Sequence, residues 1–92
     1  MLVLPATLTM GEARTALAML EQALRREPDA DIQLDASSLQ QFDTAALAVL
    51  LECERLAHAW GKRLAVRHTP PKLAALAKLY GVEALVRMEG VS

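Results

Sequence analysis

The sequence predicts an α/β domain in which helices pack on a small sheet. Short apolar runs typical of strands alternate along the chain with longer segments whose apolar residues recur at helical spacing. The length of 92 residues suits one domain with a modest core. Because 53% of the residues are hydrophobic and only 3% are aromatic, that core is expected to be aliphatic. No linker, repeat or low-complexity segment divides the chain, so a single domain is expected over residues 1–92.

The first third of the chain predicts a strand followed by a long helix. Residues 2–4 form a short apolar run that ends at Pro5. Thr9 and Glu12 have the spacing of a capping box, in which each side chain bonds a free backbone N–H group at a helix start. The helix is expected to continue to about Arg26, before a Glu-Pro-Asp sequence stops it. Its predicted buried stripe consists of Ala13, Ala16, Leu17, Leu20 and Leu24.

The middle of the chain predicts a strand, a loop and an apolar helix. The strand covers residues 32–35 and the loop covers residues 36–42. Asp43 and Thr44 then open the helix, since a carboxylate or hydroxyl at a helix start accepts bonds from N–H groups that have no helical partner. The helix is expected to run to about Trp60, where the following glycine is placed to end it.

The last third predicts a third strand and a third helix. Residues 64–66 form the strand, and the helix is expected over residues 72–80, between a Pro-Pro pair and a glycine. The segment 82–88 fits either a last strand or a helical turn, and the sequence alone leaves both open. The predicted inner stripe of the third helix is Leu73, Leu76, Ala77 and Tyr80.

Charge and hydropathy exclude several classes of function. The formal net charge is −1 and the pI is about 6.1, and no basic block supplies the positive footprint that nucleic-acid binding requires. No apolar run approaches the roughly 18 residues of a membrane span. The first residues lack the charged region of a signal peptide. A soluble cytoplasmic protein that neither binds nucleic acid nor inserts into a membrane is therefore expected.

The residues that carry chemistry in other proteins form no catalytic or metal-binding set in this sequence. His58 and His68 have no cysteine or carboxylate at ligand spacing, so both are expected on the surface, and neither a metal nor a cofactor is predicted. The single cysteine, Cys53, lies in an apolar helical pattern and is expected in the core. Asp35 and Asp43 allow two interpretations, a pair of catalytic carboxylates or a strand end and a helix cap. The second interpretation is favoured.

The second helix carries the most informative surface pattern. One side of it is apolar throughout at helical spacing and is expected to face the sheet. The opposite side is apolar only in its first turns, through Leu47, Ala48 and Leu51, next to Thr44. Two interpretations stay open: a neighbouring helix covers Leu47 or Leu51, or the patch docks a partner protein. The residues expected to face the sheet are Ala46, Val49, Leu50, Cys53, Ala57 and Trp60.

The stretch from residue 35 to residue 51 resembles the signature of the STAS domain, the fold of bacterial anti-sigma factor antagonists. In that signature a strand and an Asp-x-Ser sequence precede a short loop, a second aspartate with hydroxyl residues, and a helix. Here the two parts are Asp35-Ala36-Ser37 and Asp43-Thr44. The resemblance covers residues 2–88 and implies a single STAS domain with helices packed on a small mixed β-sheet.

Two motifs resemble the MlaB-like branch, the STAS subunit of Mla-type lipid-transport ABC transporters. They are residues 43–51, DTAALAVLL, and residues 76–82, LAKLYGV. The resemblance implies a non-enzymatic subunit that binds the transporter's MlaF-like ATPase and supports its assembly and activity in phospholipid transport. It also implies a cytoplasmic location, peripheral to the inner membrane through the transporter complex. The partner-binding residues predicted in this way are Asp43, Thr44, Ala45, Leu47, Ala48, Leu51 and Arg55.

An anti-sigma factor antagonist in a partner-switching pathway is the alternative that the STAS resemblance allows. In those proteins a kinase phosphorylates the second hydroxyl residue after the loop aspartate, and that position is Ala45 here. Because alanine has no hydroxyl, no regulatory phosphate is expected at the usual position. Thr44 and Ser37 are the hydroxyl residues that could replace it as acceptors.

Overall fold

A four-stranded parallel sheet is the framework on which the helices pack. The computed structural model describes residues 2–90. The strands are β1 (Leu2–Val3), β2 (Thr7–Leu8), β3 (Asp31–Asp35), β4 (Gln41–Phe42), β5 (Arg63–Arg67) and β6 (Arg87–Met88). The sheet has the order β1-β3-β5-β6, with β2 and β4 as a separate pair, and all of these pairs are parallel. The α/β class is confirmed, but the expected mixed sheet is wrong, because each connection between neighbouring strands of the sheet contains a helix and returns the chain in the same direction.

Three helices form these connections. They are α1 (Met10–Arg26), α2 (Thr44–Ala59) and α3 (Pro71–Leu79). Gly61 and Gly81, with φ angles of 72° and 69°, follow α2 and α3 in the left-handed region, as expected of residues that end helices. Within residues 2–90, no helix combines the length and the apolar character that crossing a membrane requires.

Both ends of α1 are held by residues that flank α2. At the start, the Met10 N–H group donates to Asp43 Oδ2 at 3.2 Å. At the end, the Lys62 ammonium group donates to the carbonyl oxygen of Leu24 at 3.1 Å and to that of Glu27. The bond from Met10 satisfies an N–H group that has no partner within the helix, and Lys62 adds a second donor to the Leu24 carbonyl oxygen, which also accepts from the Glu27 N–H group. These bonds also place a carboxylate at the positive end of the helix dipole and a cation at its negative end.

The core lies between the helices and one face of the sheet. Ile32 and Leu34 of β3 are buried and lie in register with the buried Leu64 and Val66 of β5. All four belong to one hydrophobic cluster with buried residues of the three helices, so the helices cover this face. The alternating residues, which point to the opposite face and are exposed or half-buried, are Asp31, Gln33, Asp35, Arg63, Ala65 and Arg67.

The buried stripes of the helices agree with the prediction except at one residue. Tyr80 is 59% exposed, because α3 ends at Leu79 and Tyr80 follows it as the C-cap residue. The expectation that Tyr80 belongs to the inner stripe is therefore wrong. The stripe residues that are buried or pack against the core are Ala13, Ala16, Leu17, Leu20 and Leu24 in α1, Ala46, Val49, Leu50, Cys53 and Ala57 in α2 with Trp60 after it, and Leu73, Leu76 and Ala77 in α3.

The start of α1 differs from the expected capping box. Thr9 is the N-cap residue, as predicted, but its side chain makes no bond to a backbone N–H group of the helix. The Thr9 hydroxyl group donates to the Glu12 carboxylate instead. The prediction was right about where the helix begins and wrong about its cap, because Asp43, from another part of the chain, supplies the acceptor.

The segment 82–88 combines the two structures that the sequence left open. Residues 83–85 form a turn, and β6 follows and pairs with β5. Thr69, whose side chain is buried, holds this last strand in place because its hydroxyl group donates to the carbonyl oxygen of Glu89 at 3.0 Å. The strand thereby completes the sheet at the edge opposite β1.

Candidate partner-binding site

Asp43 fixes the start of α2, where the sequence predicts the site. Its Oδ1 atom accepts a hydrogen bond from the Ala45 N–H group at 2.8 Å, and its Oδ2 atom accepts the bond from Met10. One carboxylate therefore holds the N-termini of α1 and α2 side by side. The interpretation of Asp43 as a helix cap is confirmed, and its role here is to position the residues that follow it.

Four residues form a line along the outer side of α2. Thr44, Ala48 and Arg55 are exposed, and Leu51 is half-buried against the edge of the core. Their spacing of four, three and four residues places them within about 60° of one another around the helix axis. We call these four residues the α2 stripe. The stripe offers a hydroxyl group, a small side chain, an aliphatic side chain and a guanidinium group in one row.

Leu47 does not belong to the α2 stripe. It is only 5% exposed and lies in the same hydrophobic cluster as Leu20 and Leu50, so the expectation that it forms a surface patch with Leu51 is wrong. The reason is that α2 packs against α1, α3 and β5, so its buried arc is wider than that of a helix covered on one side. Ala45 is also buried, at 9% exposure. The outer surface near the start of α2 is therefore narrower than the sequence suggests.

An ion pair orients the polar end of the α2 stripe. Arg55 Nε lies 3.1 Å from both carboxylate oxygen atoms of Glu52, one turn earlier in the helix. The hydrogen bond from Arg55 lowers the pKa of Glu52, and the same bond raises the pKa of Arg55. Because both groups are in contact with solvent, the pair contributes little to stability, and its main effect is to hold the guanidinium group in one direction.

A groove of about 590 Å³ lies between β4 and α3, beside the start of α2. Leu79 on its wall is 75% exposed, and Met10, which follows the lining residue Thr9, is 77% exposed. We call this feature the α3 groove. Its lining residues are Thr9, Gln40, Gln41, Phe42, Lys72, Ala75, Leu76 and Leu79.

The α3 groove leaves little signal in the sequence for two reasons. One wall consists of β4, the preceding Gln40, and Thr9, which follows β2; both strands have two residues each and are too short to show a strand period. The other wall includes Leu79, an apolar residue that lies outside the predicted inner stripe of α3. That position of Leu79 was the one signal in the sequence that pointed to an apolar surface on the far side of the helix.

The remaining residues considered for chemistry either act as local supports, lie in the core or are exposed at the surface. Asp35 Oδ1 accepts a hydrogen bond from the Ser37 N–H group at 2.9 Å, and this bond lowers the pKa of Asp35. Burial raises the pKa of the Cys53 thiol to about 12, so it stays protonated at neutral pH. His58 and His68 are exposed, as predicted. The part of the chain that the structure describes contains no cluster of three His, Cys, Asp or Glu side chains that could hold a metal ion.

The family model described as "Mlab, STAS domain" matches residues 1–87. The chain belongs to this STAS family. The predicted STAS fold is thereby confirmed, and the parallel sheet with three helices is its form in this STAS domain. A comparison with curated proteins gave no match.

The two sequence motifs of this STAS domain lie next to each other in space. Residues 43–51 form the first half of α2, and residues 76–82 include the end of α3. The helices α2 and α3 are in contact, and Phe42, which lines the α3 groove, directly precedes the Asp43 cap, so the groove lies beside the start of the α2 stripe. The structure therefore brings together Asp43, Thr44, Ala48, Leu51 and Arg55 from the predicted site, and it places Leu47 and most of Ala45 beneath the surface.

Proposed function

We propose that this STAS domain is a non-enzymatic accessory subunit of an Mla-type phospholipid-transport ABC system. In this role it binds the MlaF-like ATPase subunit and supports the assembly and activity of the transporter from the cytoplasmic side of the inner membrane. The observation that supports the proposal best is the α2 stripe. The chain matches the Mlab STAS family model. The described residues leave the outer side of α2 uncovered.

The chemistry of the α2 stripe suits contact with a protein surface. Ala48 is small, so a partner helix can approach the backbone of α2 closely, and Leu51 adds apolar area to the contact. Thr44, held at the helix start by the Asp43 cap, presents a hydroxyl group that can donate to a buried carbonyl oxygen. Arg55 lies at the rim, where charged side chains favour the correct partner more than they add affinity.

A binding role also agrees with the state of the residues that an enzyme would need. The carboxylates of Asp35 and Asp43 accept hydrogen bonds from backbone N–H groups and so act as local supports, and the bond from Ser37 lowers the pKa of Asp35. The Cys53 thiol is buried and protonated, so it is a poor nucleophile. We therefore assign these three residues structural roles within a binding domain.

The signalling alternative is less well supported. It requires a phosphate acceptor at the second position after Asp43, and Ala45 at that position has no hydroxyl and is 9% exposed. A phosphate on the neighbouring Thr44 would add about −1.5 to −2 charges to the start of the α2 stripe and would oppose the docking of an apolar surface. A constitutive adaptor is therefore the better proposal.

The proposal is tested by titrating the protein against the ATPase subunit from the same organism, with two variants of exposed alanines in α2. Ala48→Lys places an ammonium group within the α2 stripe, and Ala59→Lys places the same group eleven residues later, about 16 Å along the helix. We expect Ala48→Lys to weaken binding by at least about tenfold, because an unpaired charge is buried under the partner. We expect Ala59→Lys to bind as the wild type does.

Two results would contradict the proposal. If the wild-type protein does not bind the ATPase, the assigned partner is wrong. If both lysine variants bind equally well while keeping the wild-type melting temperature, the contact surface lies elsewhere on the domain.

A further inference from the structure

The α3 groove is lined by four apolar residues, three uncharged polar residues and one charged residue. Phe42, Ala75, Leu76 and Leu79 supply the apolar surface, and Lys72 is the one charged residue among those that line it. Lys72 forms no ion pair within residues 2–90. A groove of this kind favours an occupant that is mainly apolar and carries one compensating negative charge.

The position of the α3 groove links it to the α2 stripe. Phe42 lines the groove, and the next two residues are the Asp43 cap and Thr44, the first residue of the stripe. The start of the α2 stripe is therefore two residues away from the groove lining. Leu79, at 75% exposure, is among the largest apolar side chains left open to solvent on this side of the domain.

We infer that the α3 groove binds a segment of the same ATPase subunit, and that this segment carries an apolar side chain with a carboxylate nearby. The apolar side chain packs between Phe42 and Leu79, and the carboxylate pairs with Lys72. The inference rests on the proposed function, since it assigns a second contact to the same partner. Charge complementarity selects this occupant over a second copy of the chain centred on the groove, because two copies of Lys72 would face each other there.

Affinity measurements with four variants test the inference. Leu79→Ser removes exposed apolar surface from the groove, and Met19→Ser does the same on α1, where Met19 is 69% exposed and lines a different groove. We expect Leu79→Ser to weaken ATPase binding by about tenfold to a hundredfold, as the loss of a leucine contact implies. Lys72→Glu should also weaken binding, with a deficit that shrinks as salt is added, and its control is Arg14→Glu on the exposed side of α1.

A labelling experiment gives an independent readout of the groove. Burial raises the pKa of Cys53 to about 12, so a cysteine introduced at the surface is the reactive thiol of the protein. Ala75→Cys places an environment-sensitive fluorophore on the groove wall, and Ala59→Cys places it at the far end of α2. We expect a blue shift on addition of the ATPase for the label at position 75 and no shift for the label at position 59.

The possible outcomes separate this inference from the proposed function. If Ala48→Lys weakens binding but Leu79→Ser and Lys72→Glu do not, the groove is not a contact and the proposed function stands. If the wild-type protein does not bind the ATPase, both proposals are wrong. If Leu79→Ser changes the sedimentation of the isolated protein and leaves ATPase binding intact, the occupant is a second copy of the chain and the inference is overturned.

Discussion

The inner and outer faces of α2 show how one helix can serve two different requirements. Leu50 and Cys53 on the inner face are fully buried, so their volume and lack of charge matter to the fold. Ala48 and Arg55 on the outer face are exposed, so their chemistry matters little to the fold and mainly to a molecule that binds there. Substitutions two positions apart in this helix should therefore produce different kinds of defect, one in folding and the other in binding.

The largest difference is expected between an acidic residue on each face. Leu50→Asp buries an unpaired carboxylate in the core and should prevent stable folding, because burial of a charge without a partner costs far more than a small domain can tolerate. Ala48→Asp should leave the melting temperature close to that of the wild type and should impair ATPase binding. Thermal unfolding followed by circular dichroism distinguishes the two variants. Equal unfolding of both would mean that the outer face is covered in the folded protein.

Leu47 tests where the boundary between the two faces lies. Because it is 5% exposed within the core cluster, Leu47→Ala should lower the free energy of unfolding by about 2–5 kcal/mol. Urea denaturation, monitored by the fluorescence of the single tryptophan, Trp60, measures this loss. An unchanged midpoint for Leu47→Ala would return Leu47 to the outer face and would restore the wider patch that the sequence suggests.

A substitution at Thr44 tests the outer face of α2 with little change in the shape of that surface. Thr44→Ala removes the exposed hydroxyl group, and it should weaken ATPase binding by about 1–3 kcal/mol if a buried group of the partner loses its hydrogen bond. The stability of the isolated domain should hardly change, because Asp43 still caps the helix. Isothermal titration gives the affinity, and Thr44→Ser is the matched control that keeps the hydroxyl group. Equal affinity of the alanine and serine variants would remove Thr44 from the interface.

The pH dependence of stability reports on the burial of Cys53 on the inner face of α2. The pKa of Cys53 rises from the ordinary value of 9.0 to about 12 in the folded protein, so above pH 9 the unfolded chain loses a proton that the folded chain keeps. Stability should therefore fall with rising pH, by about 1.4 kcal/mol per unit between pH 9 and 12. Urea unfolding of the wild type and of Cys53→Ala between pH 8 and about 10.5 isolates this contribution, since other groups titrate in both proteins. Parallel pH curves would show that the thiol is accessible to water.

The ion pair on the outer face should give the smallest effect. The bond from Arg55 lowers the pKa of Glu52, so its stabilising contribution is present at neutral pH and is lost in acid as Glu52 becomes protonated. Glu52→Gln should cause only a slight loss of stability at pH 7, and added salt should reduce the difference further. Melting temperatures at low and high salt measure it. A large, salt-independent loss would mean that the pair is part of the core boundary.

The sequence predicted the parts of the structure that depend on local patterns. The start of α2, the glycines that follow α2 and α3, and the alternation in β3 reflect interactions between residues close together in the chain, whereas the acceptor at the start of α1 comes from the distant Asp43. The burial of Leu47 depends instead on how α1 and α3 pack around α2, which no pattern within α2 encodes. Tyr80 was assigned to the wrong side for a related reason, since a difference of one residue in the end of α3 moves it out of the stripe.

The candidate site was predictable in part. A cap followed by a hydroxyl residue and small side chains gave Asp43, Thr44 and Ala48, because these positions form one continuous stretch of sequence. The α3 groove was not predictable, since its walls come from separate parts of the chain that meet only after β2 and β4 have paired. The second partner of Asp43, the Met10 N–H group, was missed for the same reason.

The way in which α1 is held has a consequence for how the protein is made. The residues that bond the two ends of α1 follow it in the chain, Asp43 lying 33 positions after Met10 and Lys62 lying 38 positions after Leu24. During synthesis, α1 therefore leaves the ribosome before the groups that complete its ends, and those ends fray until α2 has been made. In the finished protein, the Met10 amide hydrogen should exchange with solvent when its bond to Asp43, at the start of α2, opens. A partner that stabilises α2 would then slow exchange in α1 without touching it.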